Sequence, residues 1–336
     1  MFGSPTLRQL VPAAVLVVLG LVLPHLLPQY FLYVGNLLMM YAVLALGFDV
    51  LIGWSGQFAF AHIAFFGVGI YGTALMHARL GVPFIVGMPV AAIAAGLIGI
   101  VIGIPAARLR TVYLALATFA FAESASWVLR SWESVTNGTD GIKIVPADVL
   151  GYAVGTDPTA FPVSATILAL VLVATLFLSR SSFARSLAAV RESEHVATAS
   201  GINVARAKVL AFAISAVYAG IAGGMYTLFQ SFVNPDSLDA TLLVLLLSMV
   251  VVGGSGSIGG VLIGVVLMGT LPEALRYAPR NLLVWQEFFY GFVLILCMMF
   301  MPRGVWGIVL ARRQRLASSA ARHAPGPGLP SRGKTS

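Results

Sequence analysis

The sequence predicts an all-α polytopic membrane protein: a bundle of eight to ten transmembrane helices, both termini inside (N-in/C-in), with one amphipathic helix on the cytoplasmic face. Three observations carry that prediction. The 336 residues are 59% hydrophobic and only 10% charged, where soluble domains run at about 45–50% and 25%, so the chain lacks the polar groups that cover a soluble surface. The apolar residues fall in runs near the length a helix needs to cross about 30 Å of hydrocarbon, roughly 20 residues. The basic residues gather in a few segments between those runs. A soluble enzyme, a nucleic-acid-binding domain and a disordered chain are thereby excluded. The net charge of +8, from 20 Lys and Arg against 12 Asp and Glu, reports membrane orientation and not a nucleic-acid partner.

In chain order, the run 10–27 follows Arg8. It reads as an uncleaved anchor, because no small-x-small cleavage site follows and Pro24 and Pro28 occupy that place. Runs 31–53, 58–80, 83–104, 113–132, 161–178 and 209–230 are full-length candidates, and 285–301 is slightly short. Two shorter runs, 240–253 and 258–271, flank the glycine-rich break GGSGSIGG at 253–260. At about 1.5 Å per residue each makes roughly 21 Å of helix. They form either two short spans or a re-entrant pair, and both choices leave the C-terminus on the same side.

With the N-terminus inside, 15 of the Lys and Arg residues fall on the inner side and 5 on the outer; the opposite topology reverses that ratio. Acidic residues lean outward, among them Glu133, Asp140, Asp157, Asp239 and Glu273. Residues 1–308 therefore read as one transmembrane domain with a single long cytoplasmic loop at 180–208. Residues 309–336 read as a basic cytoplasmic tail, and from 318 onward Pro, Gly, Ser and Arg predict disorder.

Several pattern matches carry no chemistry. Residues 328–335 fit the phosphate-loop pattern, but no strand precedes them and no helix N-terminus is there to hold a phosphate. Gly254-Ser-Gly-Ser-Ile-Gly259 fits the dinucleotide fingerprint but lies between apolar runs, with no βαβ unit around it. The histidines at 25, 62, 77, 195 and 323 show no metal spacing. The single cysteine, Cys297, excludes an intrachain disulfide. No enzyme active site, cofactor site or metal site is legible. One internal echo is present: Ile52-Gly-Trp-Ser-Gly-Gln-Phe58 resembles Val252-Gly-Gly-Ser-Gly-Ser-Ile258. Paired glycine breaks mark substrate paths in many transporters, and small-residue runs also recur by composition alone. Gly99-x-x-x-Gly103, Gly220-x-x-x-Gly224 and Gly260-x-x-x-Gly264 read as helix-packing seams.

The most informative stretch is RSSFARSLAAVRESEHVATASGINVARAK at 180–208. Ser181 or Ser182 can cap a helix whose apolar side takes Phe183, Leu187 and Val190 at i, i+4 and i+7. Its polar side shows Arg191, Glu192, Glu194 and His195, and Gly201 closes it as a C-terminal residue. Two readings stand: an interfacial helix lying on lipid, or a docking lever for a cytoplasmic partner. The mixed-sign charges favour the lever, since a lipid binder is more uniformly basic.

Four polar residues fall at or inside predicted spans: Asp49, Gln57, His62 and Glu123. An aspartate at the centre of a span costs about 2.5–3.5 kcal/mol on insertion scales, so such groups face protein or water. For Gln57 and His62, path lining and a helix–helix hydrogen bond are equally open. Glu123, with Thr118, Ser124 and Ser126 nearby, is either path lining or, the favoured reading, a buried structural acid. Asp49 reads as hydrated near the inner boundary. Asn137, Thr139 and Asp140 lie on the long outer loop.

The segments GWSGQFAFAHIAFFGVGIYGTAL (53–75), LRTVYLALATFAFAE (109–123), TNGTDGI (136–142) and 182–226, closed by Met301-Pro-Arg-Gly304, resemble the permease subunits of bacterial ABC importers for branched-chain amino acids, the LivM type. The resemblance covers about residues 41–307. It implies a permease half of a heterodimer in the bacterial inner membrane. A second permease subunit completes the pore, two cytoplasmic ATPase subunits supply the energy, and a periplasmic binding protein delivers substrate. ATP is used by the partners, and this chain is then no enzyme and holds no cofactor. Glu194, Ala197, Ala199 and Gly201 are similar to the loop by which importer permeases meet their ATPases, so Arg185, Arg191, Glu192, Glu194, Ala197, Ala199 and Gly201 become the coupling-loop candidates. Gln57, His62, Thr118 and Glu123 become the translocation-path candidates. Gln57-Phe58 departs from the Ser-Leu of many relatives, a difference that bears on substrate choice. A sugar or nucleoside importer permease, an ion-coupled carrier and a structural membrane subunit remain as alternatives.

Overall fold

The computed structural model describes residues 7–109, 111–149, 152–235 and 238–276, together with 288, 291–292, 295–297, 299 and 304–307. The expected span at 285–301 lies largely outside them, and the tail at 309–336 lies wholly outside.

The described chain is helical nearly throughout. Its elements are α1 (Leu7–Val22), α2 (Gln29–Asp49), α3 (His62–Leu80), α4 (Phe84–Ala106), α5 (Thr111–Ser131), a single turn α6 (Glu133–Thr136), α7 (Asp157–Ser179), α8 (Ser182–Glu192), α9 (Glu194–Ala199), α10 (Val204–Phe229), α11 (Ala240–Gly253), α12 (Ile258–Gly269) and α13 (Leu271–Arg276). Among the described residues six helices are long and apolar enough to cross a membrane: Gln29–Trp54, His62–Leu80, Phe84–Ala106, Val112–Ser131, Asp157–Ser179 and Val204–Phe229. The segments Ala13–His25, Ala240–Gly253 and Ile258–Glu273 are shorter apolar helices.

Helix ends follow local chemistry. Pro24 converts the end of α1 into a 3-10 turn over Leu23–His25, because proline lacks the N–H that would continue the ladder. Residues Val50–Trp54 carry α2 on as a π turn. The expected span at 58–80 is helical only from His62. Before it, Ser55–Ala61 is irregular, with Gly56 at φ +70°.

α10 is the hub. It packs on α4, α3 and α2; α2 packs in turn on α7, α11 and α12, while α1 lies against α7. The expected small-residue seams are where backbones meet. A Cβ on Gly99 would lie 2.7 Å from Ala216 Cβ, and one on Gly220 would lie 2.6 Å from Ala92 Cα, so α4 and α10 touch without intervening side chains. In the α11–α12 hairpin, a Cβ on Gly264 would lie 2.8 Å from Gly253 Cα.

At one end of the bundle the connections form small sheets. β1 (Ile142–Lys143) pairs antiparallel with β4 (Phe232–Val233), and β2 (Ala147–Val149) pairs with β3 (Tyr152–Val154). β1–β4 ties the connection after α5 to the one after α10. Arg79 joins the same end by donating to the Ser134 and Val135 carbonyls at 2.8 and 3.1 Å. α5 is the least covered of the six long helices, packing chiefly on α3.

Candidate functional site

Three interruptions converge at the opposite end: 55–61 between α2 and α3, 254–257 between α11 and α12, and the 180–203 connection carrying α8 and α9. The last is two helices where the sequence predicted one. Ser181 caps α8 by accepting from Ala184 N–H at 3.2 Å. Ser193 sits extended at φ −164°, ψ 119°, and its hydroxyl caps α9 by accepting from Val196 N–H at 3.4 Å. A Ser–Glu pair inside a helical pattern is itself a cap signal, which breaks the periodicity after Glu192. Leu187, Val190 and Ala197 are buried against the bundle. Gly201 takes φ +80° with open space around it, a left-handed C-terminal turn that glycine adopts without strain.

Arg191 is the joint between this connection and the long apolar helices. Its guanidinium donates to the Gly53 carbonyl, and its stem lies over Gly56, where a Cβ would come 3.0 Å from Arg191 Cγ. Gly53 also meets the other break. Asp49, 1% exposed, accepts the Gly256 N–H through Oδ1 at 2.8 Å, so the expected hydration of Asp49 is replaced by a backbone partner. A Cβ on Gly53 would sit 2.6 Å from the Asp49 carboxyl carbon. The two echoing segments are therefore in contact, and α8 grips both. Gly304 presses on the same place: a Cβ there would come 2.5 Å from Gly254 Cα.

Two cavities flank the joint. One of 460 Å³ is lined by Trp54, Ala184, Ala188, Arg191, Ile258 and Trp306, among others. The other, of 220 Å³, is lined by Ser55, Gln57, Arg191, Glu192, Glu194 and Lys208, among others. Glu194 Oε1 pairs with Lys208 Nζ at 2.7 Å, the lysine side chain being 7% exposed and the glutamate 56%. Arg185 caps the end of α7 by donating to the Arg180 carbonyl at 2.9 Å. Arg185, Glu192, His195, Val196 and Ala199 are exposed.

The path candidates separate. Gln57 is buried; its Nε2 donates to Ser55 Oγ at 2.8 Å, while Oε1 has no hydrogen-bond partner and the residue lines the smaller cavity. Thr118 pins the 55–61 break to α5, accepting from Phe60 N–H at 2.9 Å and donating to the Leu114 carbonyl at 2.7 Å. His62 is fully buried: Nε2 reaches the Leu44 carbonyl at 2.9 Å and Nδ1 the Ser215 hydroxyl at 2.9 Å. The carbonyl only accepts, so Nε2 carries the proton and, in the neutral ring, Nδ1 accepts from Ser215. That arrangement is a helix pin joining α2, α3 and α10. Glu123 is exposed, against the expectation of a buried acid. It sits on the uncovered face of α5 with Leu116, Phe119 and Trp127.

Sequence reasoning missed Gly53, Ser55, Lys208, Ser215 and Trp306. The 52–58 and 252–258 echo was the signal for the first two. Nothing local marked Ser215 or Trp306, which are ordinary residues of apolar segments.

A family model described as the branched-chain amino acid transport system / permease component matches residues 30–298. The chain is 29% identical over 324 residues to the high-affinity branched-chain amino acid transport system permease protein LivM of Escherichia coli (strain K12), covering 89% of this chain and 75% of that protein. It is 27% identical over 287 residues to the LivH permease protein of the same system and strain, covering 80% and 91%. It is 28% identical over 203 residues to the ribose import permease protein RbsC of Haemophilus influenzae, covering 58% and 61%. No solved structure gives a significant match.

Proposed function

Because this chain belongs to the family of branched-chain amino acid transport system permease components, we propose that it forms one half of the membrane pore of an ATP-driven importer for branched-chain or related hydrophobic amino acids. The observation that carries the mechanism is the Arg191 joint, which links a loop outside the spans to both helix breaks at one end of the bundle. On this reading that end is cytoplasmic, the termini are inside, and the chain resides in the bacterial inner membrane, its transmembrane domain running over 1–308 ahead of a tail at 309–336. Two ATPase subunits grip the exposed side of α8 and α9, at Arg185, Glu192, His195, Val196 and Ala199. When they close, α8 moves, Arg191 draws Gly53 with it, and the 53–256 contact opens or shuts the inner end of the path. ATP hydrolysis stays with the partners, and no cofactor or nucleic acid is bound here.

The second permease subunit packs along α5. Glu123 lies about 18 Å along that helix at about 1.5 Å per residue, where facing lipid is costly. A protein-lined, hydrated seam between two subunits satisfies it. Both LivM and LivH align with this chain, so the partner has a related fold and the interface is pseudo-two-fold. Gln57 and Thr118 sit where the path reaches the inner break, and His62 holds the helices around it. A periplasmic binding protein docks at the other end, where Thr139 and Asp140 are exposed. The match to a ribose import permease favours a sugar as the second reading.

The test uses the chain co-expressed with its neighbouring transport genes and reconstituted in proteoliposomes. Leucine uptake should require ATP, both ATPases and the binding protein. Val196→Asp should weaken ATPase co-purification, while Arg191→Ala should leave the complex assembled but uncouple ATP hydrolysis from uptake. Uptake driven by an ion gradient without ATPases would overturn the reading.

A further inference from the structure

The limb that joins the π turn of α2 to α3, residues 55–61, is neither helix nor strand. It climbs back into the bundle and does not stay at its end. His62, which follows it, meets the Leu44 carbonyl at 2.9 Å, and Leu44 precedes Trp54 by about 15 Å of helix. Phe60 N–H donates to Thr118 Oγ1 at 2.9 Å, and Thr118 stands about 10 Å along α5 from its first residue, Thr111. Exposure alternates along the limb. Gln57, Ala59 and Ala61 are buried, while Phe58 is 41% exposed and Phe60 is intermediate. That is the period of an extended chain, whose successive side chains point to opposite sides. Among the described residues, the N–H groups of Phe58 and Ala59 form no hydrogen bond. The limb is held on both sides of Phe58: Gln57 N–H donates to the Leu51 carbonyl at 2.9 Å, and Phe60 is pinned to Thr118.

We propose that Phe58 lines the translocation path and is the apolar gate at its inner end. The proposal rests on the importer reading above and deepens it by assigning the closing residue. Irregular backbone at the depth of a span does not stand against hydrocarbon, where unpaired N–H groups find no partner; it stands only against protein or water. Gln57 and Ala59 turn the other side of the limb into this subunit's own core, so the side that carries Phe58 meets the water of the path. Interrupted helices line substrate paths in transporters on the same ground. A phenyl ring placed there closes the path by excluding water, as hydrophobic constrictions do in channels, and needs no ion pair. The drive is already attached. The Arg191 stem lies over Gly56, two residues before Phe58, and its guanidinium donates to the Gly53 carbonyl. A movement of α8 therefore reaches Phe58 through a short stretch of main chain. The Phe60–Thr118 bond holds the far end of the limb, which leaves Phe58 as the part that swings.

The experiment uses the assembled permease–ATPase complex in proteoliposomes and reads two quantities, beside leucine uptake by the complete system. The first is labelling of Phe58→Cys by a charged, membrane-impermeant thiol reagent. It is made in a Cys297→Ser background, so that this chain carries one thiol. The cysteine should react, and at different rates in the nucleotide-free complex and in one trapped with a non-hydrolysable ATP analogue. The second is efflux of labelled leucine from preloaded vesicles without ATP. Phe58→Ala should raise that leak about tenfold or more, through the loss of one buried phenyl contact from the closed state, whereas Phe58→Leu should stay close to wild type. Assembly and thermal midpoint are checked for each variant, and Phe58→Val replaces Phe58→Ala should the latter fail to assemble. If the complete system takes up leucine but Phe58→Cys is unreactive in both states, the residue is packed against lipid or the second subunit and the assignment falls. If the cysteine reacts but the truncated variants leak no more than wild type, the gate role falls. In both cases the importer reading stands. If the complete wild-type system takes up no amino acid, the importer reading itself falls.

Discussion

Gly53→Ala adds one methyl group at the point where the two helix breaks touch. The new Cβ would sit 2.6 Å from the Asp49 carboxyl carbon and against the Gly256 amide nitrogen. Neither neighbour is the free end of a flexible side chain: one is backbone, and the other is a carboxylate held at 2.8 Å by that same backbone. The methyl must therefore either push the breaks apart, an overpacking cost of about 1–3 kcal/mol, or rupture the Asp49–Gly256 bond and strand a buried carboxylate, which costs about 1–3 kcal/mol or more. These are alternative routes to relieving one clash, so they do not add. Taking about 2 kcal/mol, the closed arrangement of the breaks loses roughly thirtyfold in population, at about 1.4 kcal/mol per tenfold. The assay is thiol labelling of a Gln57→Cys reporter in the assembled importer without ATP. Gly53→Ala should speed labelling, and leucine uptake should fall with it. Labelling and uptake both at wild-type levels in Gly53→Ala would refute the claim that this contact closes the path.

His62→Ala removes the side-chain bond that the Leu44 carbonyl adds to its helical one and takes from the buried Ser215 hydroxyl its imidazole partner, at about 1–3 kcal/mol for the stranded hydroxyl; the thermal midpoint of the purified complex should drop, and an unchanged midpoint would show that the pin bears no stability. Glu194→Ala strands the buried Lys208 ammonium, whereas Lys208→Met releases Glu194 to water, so the glutamate variant should be the more destabilised in the same measurement. Glu123→Leu should insert and assemble normally yet lose most uptake, with Glu123→Gln retaining more; wild-type uptake by the leucine variant would remove Glu123 from the path.

Much of the architecture was legible because bilayer thickness disciplines composition: the runs at 83–104, 113–132 and 161–178 correspond to α4, α5 and α7. The break at Ser193 left only a weak mark, a capping serine before Glu194, set against the helical rhythm of Leu187 and Val190 that one extended residue interrupts without changing composition. The exposure of Glu123 left no mark. Hydropathy along a single chain identifies a costly residue but not which helix face lacks a neighbour; that depends on how α3 and α4 happen to cover α5. Asp49 shows the same limit from the other side, because its partner is a backbone amide 207 positions away. The echo at 52–58 and 252–258 came nearest to revealing that contact, through two glycine stretches with no strong local reason to exist.

The seam between α4 and α10 has a mechanical corollary. Where Gly99 meets Ala216 and Gly220 meets Ala92, no long side chain lies between the helices at those two crossings, although Met88 and Phe212 pack into the same seam at Gly224 and Gly103. A displacement by a single turn would drive main chain into main chain. On the proposed mechanism the pair acts as the stiffer element, and a stroke delivered through α8 is taken up first in the α11–α12 hairpin and the π turn of α2, the two segments that Arg191 touches. Stiffness in one half of the machine thus dictates where the other half bends.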